Sequence, residues 1–127
     1  MSKRKGSKAE RELLELFWKQ GWAAIRAAGS GSMHFPSPDL LVGNKIRVLA
    51  IEAKFTKENN KYFPKKEIKQ LINFASYFGA EPWLAIRFIR QDWVFSTPDD
   101  LEETGRNFVY RQNCKKGLTF DELLGNL

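Results

Sequence analysis

Pro38-Asp39-Leu40-Leu41-Val42-Gly43-Asn44-Lys45-Ile46-Arg47-Val48-Leu49-Ala50-Ile51-Glu52-Ala53-Lys54-Phe55 is the stretch on which the reading of this chain turns. A short apolar strand at Asp39–Val42, a Gly43-Asn44 turn and a longer strand at Ile46–Phe55 predict a β-hairpin. Side chains alternate faces along a strand, so Ile46, Val48, Ala50, Glu52 and Lys54 are expected on one face. Two charges at the end of an apolar face are anomalous, because burying a carboxylate and an ammonium is costly unless they pair or bind something. Paired strands lie ~4.8 Å apart, so the hairpin can bring Asp39 to Glu52. Two converging carboxylates repel unless a proton or cation lies between them. Magnesium suits such a site, being a hard ion that prefers carboxylate oxygens and retained waters. Lys54 beside it could orient an attacking water or stabilise charge on a phosphate.

Upstream, residues 7–20 predict a helix with Glu10, Leu13, Leu14 and Phe17 on one face, stopped by Gly21. Glu10 is out of place on that inward face. It can be a third carboxylate aimed at the site, or the last member of a Ser7-x-x-Glu10 capping box. Trp22–Ala27 predicts a strand, and the Gly-, Ser- and Pro-rich run 29–38 a loop that could present Ser30 or Ser32 to a phosphate. Arg26 and Arg87 stand on otherwise apolar strands, as snorkelling edge residues or phosphate contacts.

Downstream, Thr56–Tyr62 is polar and predicts a loop. Residues 65–78 predict a second helix ended by Gly79, with Ile68, Leu71, Ile72 and Ala75 facing the core and Phe74, Tyr77 and Phe78 on a neighbouring stripe. A helix apolar over so wide an arc wants a second partner. Strands follow at Pro82–Ile89 and Trp93–Ser96, then a short helix after Pro98, a strand at Asn107–Arg111 and a helical turn at Thr119–Leu124 opened by a Thr119-x-x-Glu122 capping box. The αβββαββ order predicts an α/β domain spanning residues 1–127, one mixed sheet flanked by helices.

Composition narrows the chemistry. The chain has 127 residues, 21 Lys and Arg against 15 Asp and Glu, a net charge of +6, one histidine and one cysteine. One histidine, His34, leaves little room for a Ser-His-Asp triad, and one cysteine, Cys114, leaves too few ligands for a zinc site and no intrachain disulfide. Hydrolysis here would have to run on carboxylates and lysine. The basic excess favours a polyanionic partner and clusters at Lys3, Arg4, Lys5, Lys8 and Arg11 and again at Lys57, Lys61, Lys65, Lys66 and Lys69. No apolar run long enough for a membrane span and no apolar stretch behind the N-terminal charges are found, which predicts a cytoplasmic protein without a membrane partner.

Together, Arg4-Lys5-Gly6-Ser7-Lys8-Ala9-Glu10-Arg11-Glu12, Ile25-Arg26-Ala27-Ala28-Gly29-Ser30-Gly31, Pro38-Asp39-Leu40, Ile51-Glu52-Ala53-Lys54, Leu71-Ile72-Asn73-Phe74-Ala75, Phe78-Gly79 and Ala85-Ile86-Arg87-Phe88 resemble the archaeal Holliday-junction resolvase family (Hjc type), within the restriction-endonuclease-like nucleases. The resemblance covers roughly residues 4–95. It implies a homodimer that binds four-way DNA junctions and nicks two opposing strands symmetrically. It implies that Glu10, Asp39 and Glu52 hold Mg2+, with Mn2+ substituting, that Lys54 is catalytic, and that Ser30, with Ser32 as the other choice, reaches the scissile phosphate. It further implies DNA contacts from Lys3, Arg4, Lys5, Arg11, Arg26, Ser32, Lys57 and Arg87, and a dimer contact through Phe74 and Phe78. The loop from Ser30 to Asp39 is longer than in some relatives, with Met33, His34 and Phe35 in it. Two other readings remain: a related nuclease acting on flaps or mismatches, and a non-catalytic nucleic-acid-binding module in which Glu52 and Lys54 form a structural ion pair.

Overall fold

A computed structural model describes residues 3–27 and 35–126, and in the first helix the side chains from residue 6 on. Ser30 and Ser32 therefore lie outside the described residues, as do the side chains of Lys3, Arg4 and Lys5. The elements are α1 (Lys3–Lys19), β1 (Ala23–Arg26), β2 (Leu40–Gly43), β3 (Val48–Thr56), β4 (Asn60–Pro64), α2 (Lys65–Phe78), β5 (Glu81–Phe88), β6 (Trp93–Ser96), a 3-10 turn at Pro98–Asp100, β7 (Glu102–Thr104), β8 (Asn107–Arg111) and α3 (Phe120–Leu124).

The two apolar faces of β3 decide the layering. Leu49, Ile51 and Ala53 point to one side, where they meet Leu13 and Phe17 of α1 together with Leu40 and Trp83. Ala50 points to the other, with Ile68, Leu71 and Ala75 of α2 and with Leu84 and Ile86 of β5. A strand buried on both faces reads as a continuous apolar run, and Val48–Ala53 is one apart from Glu52. The sheet runs β1-β2-β3-β5-β6, antiparallel except for the parallel pair β3 and β5 that α2 connects. The mixed sheet between helices is thus as expected.

Other expectations need correction. The domain has a second, three-stranded sheet, β4-β8-β7, rather than one sheet. Its strand β4 takes residues expected in a polar loop: Asn60 and Lys61 are weak strand formers, and their pairing with Arg111 and Tyr110 of β8 overrides that preference. Ile46 does not join the face of Ala50 and Glu52. Asn44 Oδ1 accepts from the amides of Ile46 and Arg47 at 2.8 and 2.7 Å, which draws Ile46 into the hairpin tip and leaves it 88% exposed. Ile72 is 42% exposed, because the buried arc of α2 passes through Ile68, Leu71 and Ala75 and Ile72 falls off its edge. Finally, α1 begins at Lys3, so Ser7 lies inside the helix and Ser7-x-x-Glu10 is not a capping box.

The chain ends its elements as the sequence suggests. Gly79 adopts φ 83° and its amide donates to the Ala75 carbonyl at 2.9 Å, a left-handed cap that costs other residues strain. Thr119 and Glu122 form the reciprocal capping box at the start of α3. Among the described residues, no helix is long and apolar enough to cross a membrane.

Candidate active site

The site forms where the β2–β3 ladder gives out. Antiparallel register sets Leu40 opposite Ile51, so one step further Asp39 faces Glu52. There the carboxylate replaces a backbone carbonyl: the Ala53 amide donates to Asp39 Oδ2 at 2.9 Å. The Asp39 carbonyl in turn accepts from the Ala27 amide at 2.9 Å. Backbone contacts on both flanks fix the carboxylate of Asp39, which is the preorganisation a binding site needs.

Glu52 is 9% exposed and lies close enough to Asp39 to feel its charge. Burial, and then the charge of Asp39, push Glu52 up to about 9. Burial also raises Asp39, against the Ala53 amide that stabilises its anion. Two buried carboxyls held together in this way want positive charge between them. Lys54 follows on the same face of β3, its Nζ 2.8 Å from Glu67 Oε1. Burial opposes the charged form of Lys54, but contact with Glu67 and the charges of Glu52 and Asp39 outweigh burial and lift it above the usual lysine range. These groups open into a cleft of about 220 Å³, lined by Pro36, Ser37, Pro38, Asp39, Glu52, Lys54, Glu67, Gln70 and Leu71.

Glu10 approaches from the other layer. It projects from α1 and accepts from Arg26 Nε at 2.9 Å, and its charge reaches Asp39. Among the described residues, no three His, Cys, Asp or Glu side chains come together as a ready metal cage. The arrangement therefore holds a converging pair, Asp39 and Glu52, with Glu10 drawn back by its guanidinium partner. The pair fits a hard divalent ion: both groups are oxygen donors, one is fixed by the backbone, and in isolation they hold a proton where a cation would relieve them.

Comparison with known proteins gives the chain its relatives. The family model described as "Archaeal holliday junction resolvase (hjc)" matches residues 1–127. The chain is 47% identical over 124 residues to the crossover junction endodeoxyribonuclease Hjc of Archaeoglobus fulgidus, covering 97% of this chain and 91% of that protein. It is 39% identical over 123 residues to the Hjc of Methanocaldococcus jannaschii, covering 96% and 88%. The solved structure of Archaeoglobus fulgidus Hjc superimposes with a TM-score of 0.89 at 41% identity, over 97% of this chain and 98% of that one.

The chain belongs to the archaeal Holliday junction resolvase family. Its mixed sheet between helices is the restriction-endonuclease-like fold of that family, and membership brings a divalent metal as cofactor.

In this resolvase-family chain the basic residues singled out from sequence divide into two groups. Arg11 and Lys57 are exposed and free to meet a phosphate backbone. Arg26 and Arg87 are held by acids of α1, Glu10 and Glu12 respectively. Lys61, on β4, lies near the cleft: burial lowers it, and the charge of Lys54 lowers it further. Phe74 and Phe78 stack at 5.4 Å with 14° between ring planes, Phe74 half-buried against the core and Phe78 56% exposed.

Three residues of the cleft escaped sequence reasoning. Glu67 and Gln70 sit on α2, on the side of the helix that meets β3, and lie among polar neighbours in a segment that reads as a solvated helix start. Their signal is the spacing of Glu67 and Gln70 one position ahead of Ile68 and Leu71, which marks them as flanking the buried arc. Ser37 precedes Pro38-Asp39, and its Oγ is shut from solvent with no hydrogen-bond partner among the described residues. Nothing in its loop sequence distinguishes it from the other serines.

Proposed function

We propose that this chain is a metal-dependent endonuclease that resolves four-way DNA junctions, acting as a homodimer and making paired, symmetric nicks. The observation that carries the reading is the backbone-fixed Asp39 meeting Glu52 beside Lys54 in one cleft. The names of its relatives point to the same substrate class: the Archaeoglobus and Methanocaldococcus proteins are crossover junction endodeoxyribonucleases.

Asp39 and Glu52 would hold the metal, Mg2+ with Mn2+ as its substitute, and Glu10 adds a third negative charge from α1. When bound, such an ion activates water for attack on phosphorus, with inversion, and neutralises charge on the phosphate. The protein's own groups do the rest. Asp39 is held by the Ala53 amide so that its carboxylate does not reorient during the reaction. Lys54 places an ammonium at the mouth of the cleft, where charge grows on the phosphate oxygens. Ser37 offers a buried hydroxyl in the lining of the same cleft, and Ser30 or Ser32 would reach the scissile phosphate. Arg11, Lys57 and the basic start of α1, Lys3, Arg4 and Lys5, supply phosphate contacts that position the duplex arms without reading bases. Arg26 and Arg87 would join them by exchanging Glu10 and Glu12 for a phosphate.

The dimer would form on α2. Ile72, Tyr77 and Phe78 are 42%, 94% and 56% exposed, a run of apolar surface that a second copy would cover. Two sites on a two-fold axis suit a substrate that is itself nearly two-fold symmetric. Phe74→Ala with Phe78→Ala is expected to shift the mass in solution towards monomer; an unchanged mass means that the two rings make no dimer contact.

The deciding experiment is cleavage of a four-way junction with and without Mg2+, with the nicks mapped on all four strands, against duplex, flap and mismatched DNA. Symmetric nicks confined to the junction are expected. Preference for a flap or mismatch makes the chain a related nuclease of other specificity, and binding without any cutting makes it a nucleic-acid-binding module.

A further inference from the structure

We propose that Glu67 is the positioning residue for Lys54, holding its ammonium away from the Asp39–Glu52 pair and ready for the phosphate. This inference rests on the nuclease reading above. A lysine head swings on a flexible four-carbon stem, and fixing it costs side-chain entropy. Lys54 leaves β3 beside Glu52, so the nearest strong attraction along its own strand is the carboxylate pair itself. An ammonium that settled there would satisfy the two acids and compete with the cation they are suited to hold. Glu67 pulls from the other wall. Its Oε1 is 2.8 Å from Lys54 Nζ, and both side chains are about three-quarters shielded, at 26% and 27% exposure.

The contact is not an incidental surface pair. Glu67 Oε1 is sealed from solvent and meets no aligned hydrogen-bond donor among the described residues, so the charge of Lys54 is its compensation. Letting the ammonium go would leave a shielded anion unpaired, which is strongly unfavourable. The pair therefore stays together until a phosphate offers Lys54 a second anion.

The fold holds Glu67 firmly in place. It lies in the first turn of α2, where the helix dipole favours an acid. That turn follows Pro64 without a spacer, and Pro64 ends β4, which is zipped to β8. The small sheet thus anchors the residue that steers the lysine of the large one. Lys61 on β4 feels the charges of both members of the pair, Lys54 and Glu67. Among the described residues Lys61 has no acidic side chain within ion-pair distance.

Wild type, Glu67→Gln and Glu67→Asp are compared on a four-way junction under single-turnover conditions at saturating Mg2+. In parallel, junction binding is measured without divalent metal and Mn2+ binding by electron paramagnetic resonance. Glu67→Gln is expected to lower the cleavage rate about 100-fold, the scale of a misplaced catalytic group, with junction affinity unchanged and Mn2+ affinity lowered, because the released ammonium competes for Asp39 and Glu52. Glu67→Asp is expected to recover most of the rate. Wild-type cutting by Glu67→Gln overturns the proposal. So does a Mn2+ affinity that stays low when Lys54→Met is added to Glu67→Gln, which would make Glu67 a ligand, or a loss carried by weaker junction binding. If Glu67→Gln melts early, Lys54→Met and Lys54→Met with Glu67→Gln replace it, since the double variant leaves no unpaired charge. Equal rates for these two support the role, and additive losses overturn it. A wild-type protein that cuts no junction sinks the nuclease reading instead, so the two failures are distinguishable.

Discussion

Arg47 stands just before β3, and its guanidinium donates to both carboxylate oxygens of Glu81 at 2.8 Å and to the Leu123 carbonyl at 2.6 Å. It also lies over the ring of Trp22, 5.7 Å from the centroid. Each partner stabilises the other's charge: the contact with Arg47 holds Glu81 below the usual carboxylate range. Further along the same strand, where its ladder with β2 ends, the logic reverses. Asp39 and Glu52 are both pushed upward, Glu52 to about 9: burial opposes both charges, and the charge of Glu10 adds to it at Asp39 as that of Asp39 does at Glu52. The sheet thus keeps a satisfied ion pair at one end and an unsatisfied acidic pair at the other. The first fastens α3 and the hairpin tip to the sheet, and the second stores a demand for a cation. Charge alone does not distinguish structure from function here; the direction in which the surroundings push it does.

The sharpest way to break this comparison is to remove charge at the unsatisfied end. Asp39→Asn is expected to lower Mg2+-dependent junction cleavage at least about 100-fold, with junction binding retained. The amide oxygen can still accept from Ala53, and the repulsion against Glu52 disappears. The melting temperature of the metal-free protein should accordingly match or exceed that of wild type, the stability–activity opposition expected of a site built for binding. A marked drop in melting temperature would mean that the Asp39–Glu52 pair supports the fold, and the two ends of the ladder would then be alike.

The same operation at the satisfied end should have the opposite profile. Arg47→Met removes three charge-assisted contacts and the stacking on Trp22 while keeping an apolar stem. A loss of about 2 kcal/mol in chemical denaturation is expected, with the cleavage rate of the folded protein unchanged. Loss of rate without loss of stability would place the Arg47 end in the catalytic machinery.

How far the molecule is legible from sequence follows from where its information is local. The β2–β3 hairpin, both long helices, the strands of the large sheet and the Thr119–Glu122 cap are written in periodicity and capping residues that act within a few positions. Asp39 and Glu52 are legible for the same reason, since hairpin register alone sets them face to face. What escaped is non-local. Strand β4 exists because β8 pairs with it, and nothing in Asn60-Lys61-Tyr62 announces that partner. Ile46 is apolar and in phase with the strand, yet a single side-chain oxygen, Asn44 Oδ1, folds it out to solvent. Glu67 is visible as a helix residue but not as a neighbour of Lys54, because their meeting depends on how α2 crosses the sheet. Glu10 shows both sides: its inward position is in the sequence, whereas its capture by Arg26 is a fact of packing.

The smallest expected effect lies in the pH dependence of the satisfied end. Glu81 has a folded-state pKa below its unfolded value because Arg47 hydrogen-bonds its anion, with burial opposing and Trp83 assisting. Its stabilisation is therefore complete above the ordinary carboxylate range and drains away as pH falls through the lower, folded value. The side chain is 41% exposed, so solvent screens the pair and the contribution is at most about 1 kcal/mol. Denaturant midpoints for wild type and Glu81→Gln should differ at pH 6, with wild type the more stable, and converge once the pH drops below the folded value. Midpoints that stay parallel through the acid range would show that Arg47 gains as much from Leu123 and Trp22 as from the carboxylate. The satisfied end would then owe its stability to packing of the guanidinium, and its contrast with Asp39 and Glu52 would be one of contacts made rather than of charges matched.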